Sequence, residues 1–106
     1  MRSIIQSDLE HCFLCGTRAW ETHHVFGGSM RKKSDRLGLV VRLCHCCHNE
    51  PPRKGEHAGG VHFNKAKMEH LHRVGQRAAM KHYNWTVDEF RREFYKNYLT
   101  EEEDAQ

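Results

Sequence analysis

The sequence predicts a small α+β domain, with a pair of strands followed by a long helix and a shorter helix that packs against it. The length of 106 residues suits one domain. Only 38% of the residues are hydrophobic, so the core is expected to be thin. A domain this polar often needs disulfides or a metal ion for stability, and the chain offers five cysteines and ten histidines.

The two predicted strands lie on either side of a basic segment. Residues 18–26, RAWETHHVF, combine β-branched and aromatic side chains and are predicted to form the first strand, which Gly27 and Gly28 end. Residues 29–37 are predicted to be a polar, basic loop. Residues 37–44, LGLVVRLC, are predicted to form the second strand.

Two helices are predicted after a loop over residues 49–60, which is rich in proline and glycine. The first covers residues 61–83, with Leu71, Val74 and Ala78 on one face. The second follows Thr86, which forms the capping-box pattern T-x-x-E with Glu89. Its predicted apolar stripe consists of Val87, Phe90, Phe94 and Leu99.

The charge of the chain is unevenly placed. The net charge is +3, but four acidic side chains lie in residues 101–106, an acidic tail predicted to be disordered. Residues 1–100, the predicted single domain, therefore carry 17 basic and 10 acidic side chains. This excess is typical of proteins that bind polyanions, although a solvated loop face would look the same. The basic side chains nearest the glycine pair are Arg31, Lys32, Lys33 and Arg36.

Four cysteines have the spacing of a metal site. Cys12 and Cys15 form one C-x-x-C pair, Cys44 and Cys47 form another, and 28 residues separate the pairs. Two such pairs complete a tetrahedral, structural Zn²⁺ site. A reduced buried cluster and disulfides are the alternatives. Substitute ligands are Cys46, in exchange for Cys44 or Cys47, and either of two histidines in place of a thiolate, His11 and His45.

Cellular location bears on the choice between zinc and disulfides. No stretch approaches the roughly 20 apolar residues of a membrane span, and the start MRSIIQSDLE lacks the apolar segment of a signal peptide. We therefore predict a cytoplasmic protein with no membrane partner. In that reducing setting, C-x-x-C pairs bind metal more often than they form disulfides.

The adjacent histidines His23 and His24 raise a second metal hypothesis. Neighbouring side chains on a strand point to opposite faces, so one can hold a metal while the other acts on a substrate. His48 directly follows the second cysteine pair, and His62 stands at the start of the predicted long helix. Each also has an ordinary alternative: a buried hydrogen-bonded side chain, an exposed polar residue, a zinc ligand or a helix start.

One carboxylate and three further histidines complete the set of candidate residues. Glu21 is a candidate for orienting one of the histidines from behind. Three histidines within the helical pattern are expected to be surface or packing residues: His70, His72 and His82.

Taken in order, the segments ETHHVFGG, a basic run, GLVVRLCHCCH and GVHFN resemble the HNH nucleases. This family belongs to the ββα-metal superfamily, and the similarity is to its small, zinc-stapled, phage-associated members, over residues 12 to about 82. The resemblance implies a ββα-metal core, a β-hairpin plus a helix, with a catalytic divalent metal: Zn²⁺, Ni²⁺, Mn²⁺ or Mg²⁺. It implies that His24 is the general base and that the metal ligands are His23, His48 and His62.

The function implied by the resemblance is metal-dependent hydrolysis of DNA phosphodiester bonds, in a bacterial or phage-infected cell. An unprotonated imidazole is a suitable base near neutral pH, and three histidines with open positions suit a catalytic transition metal. The basic segment would follow the backbone of double-stranded DNA with weak sequence preference. Guidance by a protein partner is the other expectation, because the sequence shows no element that reads bases.

Two features depart from the family. Its middle asparagine, which steadies the loop and orients the base, has no counterpart in GLVVR, so Ser34 or the backbone is expected to do this. His48 and His62 are also 14 positions apart, and His57 competes with His62 as the last ligand. Outside the nuclease hypothesis, the chain could be a non-catalytic zinc module that binds nucleic acid. It could also be an interaction protein that binds through its acidic tail.

Overall fold

The computed structural model describes residues 1–55 and 58–99, and these form a small α+β fold. Strands β1 (Glu21–His24) and β2 (Val40–Leu43) pair antiparallel, with His23 opposite Val41 and His24 opposite Val40. This confirms the predicted class, a strand pair combined with helices. The acidic tail lies outside the described residues.

Both strands are shorter than predicted. Residues 18–26 and 37–44 were expected, but Arg18 instead forms an isolated bridge with His11 beside the first cysteine pair. Val25 still donates its N–H to the carbonyl oxygen of Leu39 at 3.0 Å, just beyond the regular ladder. Bends and turns at residues 25–26 and 37–38 end the pairing at one end of the sheet, and at the other end the chain passes through Cys44 into a helix.

The predicted basic loop over residues 29–37 is wrong. Residues Gly28–Met30 form a 3₁₀ turn that leads into helix α1 (Arg31–Arg36). Ser34 explains the difference, because its buried hydroxyl donates to the carbonyl oxygen of Leu39 at 2.6 Å and accepts from the N–H of Phe26 at 3.2 Å. These two hydrogen bonds hold α1, four of whose six residues are the good helix formers Arg and Lys, across the ends of the two strands.

Helix α2 (His45–His48) begins directly after Cys44, and helix α3 (Lys65–Tyr83) begins later than predicted. Residues Val61–Phe63 form a separate 3₁₀ turn. The helix then begins at Lys65. Its N-cap is Asn64, which has an extended backbone and whose side chain accepts from the N–H of Lys67 at 3.0 Å. An N-cap residue with this geometry cannot be inside a helix, which explains the late start.

Helix α4 (Val87–Phe94) begins with the predicted capping box of Thr86 and Glu89. It ends at Tyr95, which has a left-handed backbone with φ 66°. Leu99 is therefore buried after the helix, not on its stripe as predicted. Among the described residues, no helix combines the length and apolar character that a membrane crossing requires.

The core has two clusters. One surrounds Cys12 and includes Val41, Leu43 and Leu71, and the other packs α3 and α4 against Phe26. The predicted face of α3 is rotated, since its buried residues are Leu71, Gly75, Gln76 and Ala79, whereas Val74 and Ala78 are half-buried. The cause is close packing at Gly75, where an added Cβ would lie 2.6 Å from Cγ1 of Val25.

Candidate metal centres

Four cysteine thiols converge between the turn at residues 12–16 and α2. Their sulfur atoms all lie within 4.8 Å of one another, and the Sγ atoms of Cys15 and Cys44 are 3.6 Å apart. A tight turn, in which the N–H of Gly16 donates to the carbonyl oxygen of Cys12 at 2.9 Å, presents the first pair. This cluster can hold a metal such as zinc: Cys12, Cys15, Cys44 and Cys47.

The four thiols have different surroundings, which shift the pKa of Cys15 in the opposite direction from those of Cys44 and Cys47. The Thr17 hydroxyl lies 3.1 Å from Sγ of Cys15 and, with the Thr17 N–H, lowers the pKa of that thiol to about 6. Burial instead raises the pKa of Cys44 and of Cys47. A divalent cation would favour the thiolate form of all four, because opposite charge stabilises it.

The substitute ligands that the sequence offers lie elsewhere. Cys46 is exposed and is not part of the cluster, and all five cysteines are free, which does not support disulfides. The Nδ1 atom of His11 lies 2.8 Å from a carboxylate oxygen of Asp8. His45 is similarly engaged, with its two ring nitrogens on two different carboxylates.

Three histidines from separate elements form a second group: His23 on β1, His48 at the end of α2 and His62 in the 3₁₀ turn before α3. One nitrogen of each lies within 4.8 Å of the others. The Nε2 atoms of His48 and His62 are 3.0 Å apart. The ring centroid of His23 lies 5.2 Å from that of His48 and 5.1 Å from that of His62. His57 lies outside the described residues.

His23 gives the most direct test of whether this group fits a metal ion. Its side chain is buried, and its Nε2 has no hydrogen-bond partner among the described residues. A buried polar atom without a partner is costly, and such atoms usually have a specific explanation. Burial, helped by the nearby rings of His48 and His62, lowers the pKa of His23 to about 3. An uncharged imidazole whose buried Nε2 has no hydrogen-bond partner in the part of the chain that the structure describes fits a metal ligand.

Glu21, the carboxylate that was a candidate for orienting a histidine, contacts His48. One of its carboxylate oxygens lies 2.9 Å from Nδ1 of His48 and the other lies 3.1 Å from Nδ1 of His45. The side-chain nitrogen of Asn49 also lies 3.2 Å from Nδ1 of His48, but the carboxylate contact is shorter. Since a carboxylate only accepts, we assign the proton of His48 to Nδ1, which leaves the lone pair on Nε2, the atom that faces His62. The hydrogen bond from His48 is also the main reason that the pKa of Glu21 is lowered.

His62 comes 14 positions after His48 in the chain, and a close backbone contact brings it into this group. The N–H of Gly60 donates to the carbonyl oxygen of Glu50 at 2.9 Å, which closes the loop against α2. A Cβ added at Gly60 would lie 2.6 Å from the carbonyl carbon and oxygen of His48. Only glycine allows the chain to pass this closely and enter the turn that carries His62.

His24 lies on the other face of β1, where it lines a surface pocket of about 560 Å³. Its Nε2 atom is 3.2 Å from Oδ1 of Asp35, and 16% of its side chain is exposed. The remaining lining residues are Met1, Thr22, Arg31 and Lys32. The imidazole is thus reachable from solvent within a pocket that carries two positive charges and one negative charge.

The four basic side chains singled out from the sequence divide into two groups. Arg31 and Lys32 line the His24 pocket, and Arg36 is exposed. Lys33 instead contacts α4, where its ammonium donates to the carbonyl oxygen of Glu93 at 2.7 Å and lies 5.8 Å from the ring centroid of Phe94. Its charge is therefore already engaged within the chain.

Sequence reasoning missed Asp35. Its only signal was one acidic residue within the basic run RKKSDR, which says nothing about a contact with β1. The other histidines lie on the surface or in packing contacts, as expected: His70 is exposed, and His72 stacks on Phe26 with ring centroids 5.4 Å apart. His82 lies against Tyr83 with ring centroids 4.7 Å apart.

Comparison with protein families, with curated proteins and with solved structures finds no match to this chain. The assignment of a function therefore depends on the chemistry of the two centres.

Proposed function

We propose that this protein is a metal-dependent endonuclease of the HNH type, which hydrolyses DNA phosphodiester bonds. The convergence of three histidine nitrogens from separate elements is the observation that supports this most. In this proposal, the β1–β2 hairpin and the chain from α2 into α3 form the ββα-metal core. The four-cysteine cluster, with Zn²⁺, fastens the start of that core to the end of β2.

The three-histidine group is proposed to hold the catalytic metal through His23, His48 and His62. Imidazole ligands favour Zn²⁺ or Ni²⁺, whereas Mn²⁺ and Mg²⁺ prefer oxygen ligands. A divalent metal bound there would polarise the phosphate and offset the negative charge that develops on its oxygens.

His24 is proposed to act as the general base. Its imidazole accepts a proton from a water molecule, the water oxygen bonds to phosphorus, and the bond from phosphorus to the leaving sugar oxygen breaks. The leaving oxygen then takes a proton from solvent. Since His23 and His24 lie on opposite faces, the phosphate would have to lie at the edge of β1. In the described part of the chain β1 pairs with β2 alone, so no other strand covers its second edge.

The exposed basic side chains near His24 are proposed to contact the DNA backbone. Arg31 and Lys32 line the His24 pocket and Arg36 is exposed on the same helix. Phosphate contacts fix the position of a protein on DNA but carry no sequence information. We therefore propose double-stranded DNA with weak sequence preference as the substrate, and a protein partner wherever a defined target is required.

Nicking of supercoiled plasmid DNA tests this proposal. The zinc-loaded protein is incubated with plasmid and, in turn, added Zn²⁺, Ni²⁺, Mn²⁺ or Mg²⁺. The expected result is relaxed plasmid with at least one metal and none with His62→Ala, which leaves the four cysteines intact. Salt-dependent DNA binding without nicking under any metal would contradict it and favour the non-catalytic zinc module, which the cysteine cluster and the basic helix would also suit.

A further inference from the structure

We propose that Asp35 is a positioning residue, which holds the His24 imidazole in the tautomer that can accept a proton. This inference rests on the proposed nuclease function and deepens it. The observation that carries it is the 3.2 Å contact between Oδ1 of Asp35 and Nε2 of His24, inside the pocket that Arg31 and Lys32 also line.

The contact determines which nitrogen of His24 acts. A carboxylate has lone pairs and no proton to donate, so the Nε2 atom facing it must carry the hydrogen. A neutral imidazole has one protonated nitrogen, and Nδ1 of His24 therefore keeps its lone pair. Nδ1 is thus the atom that takes the proton from water. Without Asp35 the ring would be free to exchange tautomers and to rotate.

The fold holds Asp35 in place through its neighbours on α1. The buried Ser34 hydroxyl bonds the backbone of Leu39 and Phe26, which fixes α1 across the ends of both strands. On the other side, Lys33 fastens α1 to the carbonyl oxygen of Glu93 in α4. A base held by a side chain on an anchored helix keeps its direction better than one on a free loop.

Two neighbouring residues thus divide the work that the HNH resemblance assigns to one asparagine. Ser34 steadies the connection between the strands, and Asp35 orients the base. The alternative is that Asp35 only balances the charges of Arg31 and Lys32 in the pocket. That role would affect DNA affinity and would leave the His24 tautomer and the rate of the bound complex unchanged.

Two measurements on the zinc-loaded full chain separate these roles. Long-range ¹H–¹⁵N NMR correlations of the imidazole report the His24 tautomer independently of any activity. Steady-state cleavage of a labelled DNA duplex, with a metal that supports plasmid nicking, gives kcat and KM. The variants are Asp35→Ala and Asp35→Glu, with Asp88→Asn as the matched control, because Asp88 is an exposed helical carboxylate that pairs with Arg91.

We expect the Nε2–H tautomer in the wild-type protein and a mixture of tautomers in Asp35→Ala. The kcat of Asp35→Ala should fall by roughly 10²-fold with little change in KM, which is the scale of a misplaced catalytic group. Asp35→Glu should recover part of this loss, and Asp88→Asn should behave as wild type.

Three outcomes overturn the inference. If Asp35→Ala has the same His24 tautomer and the same kcat as wild type, the Asp35–His24 contact does not contribute to catalysis. The proposed nuclease function would be unaffected by that result. A rise in KM alone would assign Asp35 to DNA binding. Absence of cleavage by the wild-type protein with every metal would overturn the nuclease function together with the inference. In that case the NMR measurement would still show whether Asp35 sets the tautomer.

Discussion

At the scale of single residues, the protonation of one nitrogen decides whether His48 can bind a metal. Glu21 accepts from Nδ1 of His48 at 2.9 Å, which leaves Nε2 facing His62 at 3.0 Å. Glu21 and His23 lie on the same face of β1 because they are two positions apart on a strand. One short strand therefore supplies both a proposed ligand and the carboxylate that orients another.

We expect Glu21→Gln to weaken metal binding at the three-histidine group by about 10- to 100-fold, the usual cost of removing such an orienting partner. Zinc-loaded protein titrated with Co²⁺ and followed by visible absorption gives the affinity. Glu50→Gln is the control, since Glu50 contacts His45 and not His48. Equal metal affinity in Glu21→Gln and wild type would mean that the contact with Glu21 does not prepare His48 to bind the metal.

The proposed phosphate contacts of the basic side chains predict how the affinity for DNA depends on salt concentration. The double variant Arg31→Gln/Lys32→Gln should reduce the slope of log affinity against log salt by about 0.9 for each phosphate that the protein no longer neutralises. Fluorescence anisotropy with a labelled DNA duplex measures it. Lys33→Gln should leave the slope unchanged, because its ammonium is bound to the Glu93 carbonyl oxygen. A slope that falls with Lys33→Gln and not with the double variant would place DNA on another face.

At the scale of elements, the sequence predicted the structural features that depend on residues close to one another in the chain. The capping box of α4 depends on Thr86 and Glu89, three residues apart, and it was predicted and is present. Helix α1 was missed because RKKSDR has no apolar periodicity, and its anchor is a contact from Ser34 to Leu39 and Phe26. Long-range contacts of this kind leave no pattern in the segment itself, and the Asp35–His24 contact was missed for the same reason.

The entry into α3 gives the prediction for elements. Gly60→Ala should force the chain away from α2, because the added Cβ would lie 2.6 Å from the backbone of His48. His62 would move with it, so we expect weaker Co²⁺ binding at the histidines and little change at the cysteines. Gly27→Ala is the matched control, since a Cβ there meets nothing within 4 Å. Unchanged histidine affinity in Gly60→Ala would contradict this explanation.

At the scale of the whole molecule, the two candidate centres share α2. Cys44 precedes this helix, Cys47 lies within it and His48 ends it, so the cysteine cluster also holds a proposed ligand of the other centre. The C-x-x-C spacing predicted the four cysteines that the fold brings together. The three histidines were selected through a family resemblance, since spacing alone left His57 open, and their metal remains a prediction.

Zinc is expected to contribute to folding, because a preformed site does not exist in the unfolded chain. Cys15→Ser should therefore abolish the cooperative melting transition or greatly lower its melting temperature. Cys46→Ser should change the melting temperature little. Cys46 is exposed and outside the cluster. Thermal melts followed by circular dichroism compare the two variants, and equal effects would mean that a different set of four ligands binds the ion.

In the proposed mechanism, His24 activates water beside a metal held by its neighbour His23. The most direct test is the single-turnover rate of DNA cleavage by His24→Ala, compared with wild type at matched metal content of both centres. We predict that the variant keeps its metal and cleaves about 10²- to 10⁴-fold more slowly, the usual cost of removing a general base. Cleavage at the wild-type rate by metal-matched His24→Ala would contradict the claim.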